Sequence, residues 1–374
     1  MKKTTLFIAT AAMASAIAFA SGSAAVQASA ATKPRIKIVA TTFPIYDWTR
    51  EALGERLAET DLVLLQQSGV DLHSYSPSAA DLRQIASCDL FMFVGGESDE
   101  WTERALAQKG NPRRRVLNLV KTLGSAAKEE KIVEGMEHEH HHHDADHDDA
   151  DHDKDKDHVK KHDHDDDDHD HAKKHDHDEH DHAKKHDHDE DHDEDEHEID
   201  EHVWLSLRHA ATFVKAIAAE LATVDHANAG TYRANAEAYC AKLAALDSAY
   251  GKVVAGAKRK TILVADRFPF RYLADDYGLE YFAAFSGCSA ESEASFKTVM
   301  FLAKKVDALS LPVIVTIEGA NHKIAETVRR TTKAKDQRIL TLDSLQSTGG
   351  EAAKTTHYLE TMRRNLETLK AALN

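Results

Sequence analysis

Cysteine and proline are scarce in this chain of 374 residues, with three of the first and six of the second. Three cysteines permit one disulfide at most, so a scaffold stapled by disulfides is excluded. Cys88 leads into an apolar stretch and Cys240 sits in a helical pattern. Both read as small buried residues, and no function is built on the thiols. Beyond the first thirty residues no run is long and apolar enough to span a bilayer. An H-E-x-x-H helix is missing, and no nucleophile–base pair is apparent, which argues against the familiar hydrolase chemistries. A basic excess is missing as well. The net charge is −17, so nucleic acid is not an expected partner.

That charge is concentrated. Residues 137–201 hold 31 Asp and Glu against eight Lys, a local charge of −23, so the rest of the chain carries about +6. Of 26 histidines, 20 fall between residues 138 and 197. His138, His140, His141, His142 and His143 form its densest cluster. His175 and His177, and again His186 and His188, fall in two copies of "HAKKHDHDE" spaced by 11 residues. Almost no apolar side chain occurs there, so residues 137–200 are expected to be a disordered loop offering many weak metal sites. Neutral imidazoles bind borderline metals, and the surrounding carboxylates concentrate cations.

The first residues carry Lys2 and Lys3, then an apolar run over about residues 6–20, then Ala28-Ser29-Ala30. This has the form of a cleavable secretory signal over residues 1–30. No cysteine stands near the cleavage point to carry a lipid anchor.

The remainder alternates short β-rich runs with amphipathic stretches, from "IKIVATT" through "DLFMFVGG" and again from "KTILVAD" to "RILTLD". Such alternation predicts α/β architecture with parallel sheets. In "SPSAADLRQIASC", Ser76 reads as a helix cap with Pro77 at the first helical position. Residues 225–257 contain no proline and read as one long rigid helix. The expected organisation is a first α/β lobe over 31–224, a linker helix over 225–257 and a second α/β lobe over 258–374.

Outside the tract stand His73, His202, His209, His226, His322 and His357. His73 lies in a loop beyond a strand, and His202 just before a helix. Asp266 and Asp343 end the strands "TILVAD" and "RILTLD". Ligands of open α/β sheets bind beyond the carboxyl ends of strands. His73, His202, Asp266 and Asp343 therefore form a candidate site for a divalent metal between the lobes. The other four histidines read as surface or capping residues.

The blocks "IVATTFPIYDWTREALG", "GVDLHSYSPSAADL", "CDLFMFVGGESDEW", "DEHVWLSL", "YLADDYGLEY" and "LTLDSL" resemble, in order and spacing, the substrate-binding receptors of zinc and manganese ABC importers, the ZnuA-like group. An acidic, His-rich insertion marks the zinc-type members. The resemblance implies a monomeric periplasmic receptor that hands its ion to an ABC permease in the inner membrane. It places His73 at the first metal histidine and His202 at the second, with Glu201 where Asp-Pro-His would have proline. Asp343 matches the closing carboxylate. The third ligand position, His or Glu in the group, falls on Arg267, which cannot ligate. Asp266, one residue away, is the expected substitute; Glu318 or a water is the alternative, with Arg267 holding a nearby carboxylate. Two His and two Asp lean towards Mn²⁺ by hardness. The tract and the Irving–Williams order favour Zn²⁺. Other classes left open are a manganese receptor, a metallohydrolase, and a zinc buffer or adhesin acting through the tract.

Overall fold

The computed structural model describes residues 35–67, 69–136, 198–289, 293–319 and 321–374. The leader read over residues 1–30, and the tract histidines from His138 to His188, lie outside the described residues. Described structure resumes at residue 198, and Asp200, expected in the loop, is buried.

The first half runs β1 (Ile36–Ala40), α1 (Phe43–Leu53), β2 (Thr60–Leu64), α2 (Ala79–Ser87), β3 (Leu90–Phe93), α3 (Trp101–Ala107), β4 (Arg115–Asn118) and α4 (Leu119–Leu123). Two longer helices follow, α5 (Leu207–Val224) and α6 (Ala229–Ala255). The second half runs β5 (Thr261–Arg267), α7 (Arg271–Tyr277), β6 (Glu280–Phe285), α8 (Phe296–Leu309), β7 (Val313–Ile317), α9 (Lys323–Thr331), β8 (Arg338–Leu342), α10 (Gly350–Thr355) and α11 (Tyr358–Leu373). Each half forms one four-stranded parallel sheet, ordered β2-β1-β3-β4 and β6-β5-β7-β8. The two α/β lobes and the long helix are those expected from the pattern.

Parallel strands covered on both faces read as continuous apolar runs. All four residues of β3 and all five of β7 are buried. Helix starts follow local chemistry. Ser78, not Ser76, caps α2: its hydroxyl accepts from Asp81 N while the Asp81 carboxylate accepts from Ser78 N. This reciprocal box contributes on the order of 1 kcal/mol and moves Pro77 outside the helix.

Along α6, Tyr232, Ala236, Tyr239, Leu243, Leu246, Tyr250 and Val254 are buried at spacings of three and four, one face of a helix. At ~1.5 Å per residue it spans about 40 Å. Asn235 Nδ2 donates to Ala52 O of α1 at 3.0 Å, and Tyr250 Oη donates to Met362 O of α11 at 2.6 Å. The helix thus touches both halves.

The largest hydrophobic cluster also crosses the lobes, joining Ile38 and Met92 to Val264, Val315 and Met362. Buried Trp204 donates its Nε1–H to Ser344 O at 2.8 Å, and Tyr358 Oη donates to Trp204 O at 2.6 Å. Truncating either aromatic would cost roughly 3–5 kcal/mol. None of the described helices is long and apolar enough to cross a membrane. All three cysteines are free thiols.

Candidate metal centre

His73 sits on a tight turn, Leu72–Ser74, that follows β2. Asp71 starts the turn by accepting from His73 N at 3.0 Å. The His73 Nδ1 pairs with Ser98 Oγ at 2.7 Å, beyond the end of β3. Ser98 N in turn donates to Glu201 Oε1 at 2.7 Å, and Glu201 Oε2 lies 3.5 Å from His73 Nδ1. Glu201, at the place of the group's proline, thus backs the first histidine. It fits only because position 96 is glycine: a Cβ there would stand 2.5 Å from Glu201 Oε1, and the backbone φ is +93°.

His202 is fully buried and precedes the turn Val203–Leu205. Its backbone N–H and its Nδ1 both meet Asp200 Oδ1, at 2.9 and 3.0 Å. A ring that donates Nδ1–H to a carboxylate keeps its Nε2 lone pair for a metal. Nε2 of His202 lies 3.2 Å from Nε2 of His73 and 3.0 Å from Gln346 Oε1.

Burial, then the neighbouring His202, holds His73 down to about 3, so it is neutral at ordinary pH. Burial also opposes charging His202, but the hydrogen bond and charge of Asp200, with the charge of Glu201, outweigh it and raise its pKa. Burial pushes Glu201 up to about 7 against the Ser98 hydrogen bonds.

Among the described residues, the close donor group at this place is His73, His202 and Cys288, one ligand atom from each lying within 4.8 Å of the others. The structure does not bring Asp266 or Asp343 into that group. Asp266 Oδ1 accepts from Arg267 N at 2.9 Å, and Asp343 Oδ1 accepts from Leu345 N at 3.0 Å. Glu318 accepts from Ser344 N, Ser344 Oγ and Gln346 N, at 2.6, 2.7 and 3.2 Å, and so shapes the loop that presents Gln346 to His202. Arg267 donates to Asp71 Oδ2 at 2.6 Å and to Ser289 O at 3.2 Å. Gln346 Nε2 also donates to Asp71 Oδ2, at 2.9 Å.

Cys288 was passed over in the sequence. The signal was present: it follows β6 by three residues, beyond a carboxyl strand end, beside a glycine. A second close donor group, Asp47, Glu51 and His357, has its carboxylate taken. Asp47 accepts from Arg50 and from Tyr358 N.

The profile of the family described as zinc-uptake complex component A, periplasmic, or ZnuA, matches residues 38–372. The chain belongs to the ZnuA family. It is 29% identical over 336 residues to the zinc-binding protein AdcA of Streptococcus pyogenes serotype M1, covering 90% of this chain and 56% of AdcA. It therefore spans about half the length of the AdcA relatives it matches. It is 28% identical over 355 residues to the high-affinity zinc uptake system protein ZnuA of Bacillus subtilis, covering 95% of this chain and 93% of that one. The fold matches the Zn(II)-bound ZnuA-like domain of Streptococcus pneumoniae AdcA with a TM-score of 0.61 at 23% identity, over 91% of this chain and 99% of that one. It matches the periplasmic zinc-binding protein TroA of Treponema pallidum with a TM-score of 0.62 at 19% identity, over the same shares. Within this ZnuA fold, the two histidine nitrogens face each other between the carboxyl ends of the two sheets.

Proposed function

We propose that this chain is a zinc receptor: it captures Zn²⁺ outside the cytoplasmic membrane on His73 and His202 and delivers it to an ABC-type permease. The carrying observation is the pair of Nε2 atoms 3.2 Å apart, each ring engaged through its other nitrogen. Two nitrogens bound to one tetrahedral zinc at about 2.05 Å lie about 3.3 Å apart, so the pair is spaced for a shared ion with little movement. Membership of a family described as periplasmic zinc-uptake components, and relatives named for zinc binding and zinc uptake, support the same reading. The leader in residues 1–30 agrees with export. On this reading the chain is a carrier of cargo, with zinc as the transported ion and no reaction of its own.

The His-rich tract is then an accessory that gathers zinc beside the cleft. Its roots are described. Glu130 N donates to Glu198 O at 2.7 Å and Asp200 N to Lys128 O at 2.8 Å, next to Asp200 and His202. Because residues 128–130 pair with residues 198–200, a flexible linker from residue 136 back to residue 198 can replace residues 137–197.

The test is calorimetric titration of that shortened chain with zinc and manganese in competition. The reading expects one tight zinc equivalent, lost in His73→Ala. If the double change His73→Ala and His202→Ala left zinc binding and cellular zinc uptake intact, the receptor assignment would be wrong.

A further inference from the structure

We propose that Cys288, bound as a thiolate, is the third protein ligand of the captured ion, making the site His73, His202 and Cys288. This rests on the receptor reading above and goes beyond it in naming the donor set.

The two histidines alone leave the ion short of donors. The position where the family offers a third His or Glu holds Arg267, whose guanidinium is occupied by Asp71 and Ser289 O. Arginine has no lone pair to give. Asp266 and Asp343 spend a carboxylate oxygen on neighbouring backbone N–H groups and stay outside the donor group. Sγ of Cys288 lies within 4.8 Å of both histidine donors. A tetrahedral site with Zn–S of about 2.3 Å needs about 3.6 Å between sulfur and nitrogen, so the sulfur has about 1.2 Å to close at most.

The loop bearing Cys288 is fastened on three sides. Cys288 N donates to Glu130 Oε1 at 2.8 Å, and Ser289 O accepts from Arg267. Gly287 lies flat on His202: a Cβ there would be 3.2 Å from ring atoms Cε1 and Nδ1. The arginine that displaces the family's third ligand thus also holds the loop that replaces it. Glu130 is a positioning residue, and its N–H donates to Glu198 O where the two roots of the His-rich tract pair.

On binding, the S–H bond breaks as the S–Zn bond forms, and the proton leaves to solvent; no redox partner is involved. A thiolate with two imidazoles is a soft set, which favours zinc over manganese.

The decisive readout is Co²⁺ substitution of the chain shortened across residues 137–197. A thiolate ligand gives an intense sulfur-to-cobalt charge-transfer band in the near ultraviolet, visible without any variant. We expect that band, its loss in Cys288→Ser, and a drop in zinc affinity of more than about tenfold, since even outer-shell changes at metal sites cost 10–100-fold. In the full-length chain, saturating zinc should protect Cys288 from alkylation while leaving the labelling of Cys240 unchanged, as mapped by mass spectrometry. One tightly bound cobalt without the charge-transfer band would overturn the thiolate assignment and leave the receptor reading standing. Failure to bind any tight ion would instead sink the receptor reading.

Discussion

Asp200 Oδ1 holds both the backbone N–H and the ring Nδ1 of His202, at 2.9 and 3.0 Å. One carboxylate oxygen therefore fixes where the histidine stands and which nitrogen it shows to the cleft. Asp200→Asn keeps the volume but weakens that hold, and the amide can present its NH₂ in place of an acceptor. Zinc affinity is expected to fall by roughly 10–100-fold with the fold retained. Calorimetry of the shortened chain, with circular dichroism as the folding control, checks this.

Gly287 leaves no room for a methyl group. Its Cβ would stand 3.0 Å from Phe268 O and 3.2 Å from the His202 ring. Gly287→Ala must push either the loop or the imidazole. A stability loss of about 1–2 kcal/mol is expected, as for overpacking elsewhere, together with weaker zinc binding. Urea unfolding and zinc titration of the same variant separate the two effects.

Arg267→Ala removes the cation from Asp71 and the tether from Ser289 O. Asp71 carries the turn of His73 and also meets Gln346. Leaving a half-buried carboxylate without its arginine is expected to cost about 1–3 kcal/mol. It should weaken zinc binding although Arg267 itself touches no metal. Unchanged affinity together with unchanged stability would show that the Asp71 pair is idle.

Asp99, the neighbour of the Ser98 that meets His73, gives a pH signature of its own. It is 2% exposed, and its Oδ2 accepts from Val94 N and Gly95 N at 2.9 Å each. Burial pushes its pKa up to about 6, against the two backbone hydrogen bonds. The folded state then binds the proton more tightly than the unfolded state does. On this account stability falls as pH rises from about 4 to about 6, and stays at the lower level above that. Asp99→Asn keeps an acceptor for the two N–H groups and should remove the share of the decline due to Asp99, up to about 3 kcal/mol. Urea midpoints at pH 4.5 and pH 7, compared between the two proteins, measure it.

The α/β alternation was legible because buried parallel strands and amphipathic helices leave local patterns, as in β3 and α6. His73 and His202, the residues of the proposed site, were singled out in the sequence because each lies at an element boundary beside a strand end or helix start. Ser78 was missed as the cap of α2 because Ser76 and Ser78 flank the same proline and only the reciprocal Asp81 bond separates them. Cys288 also lay just beyond a strand end, but its nearness to the two histidines was not legible. It stands 86 positions beyond His202, and only the packing of the second sheet against the first brings its sulfur near. Asp266 and Asp343 stood at suitable strand ends, but strand ends also need carboxylates to satisfy backbone N–H groups. Both have taken up that task here.

Trp204 reaching to Ser344 and Tyr358 reaching back to Trp204 mean that the two sheets do not own separate interiors. Rocking one half away from the other would tear a common core. The walls of the cleft are therefore stiff, and its width is decided before any ion arrives. On the receptor reading, the cleft then selects its ion by a shape fixed in advance. On the same reading, entry and exit of the ion fall to the loops after β6 and β8, which carry Cys288 and Gln346, and not to parting of the lobes.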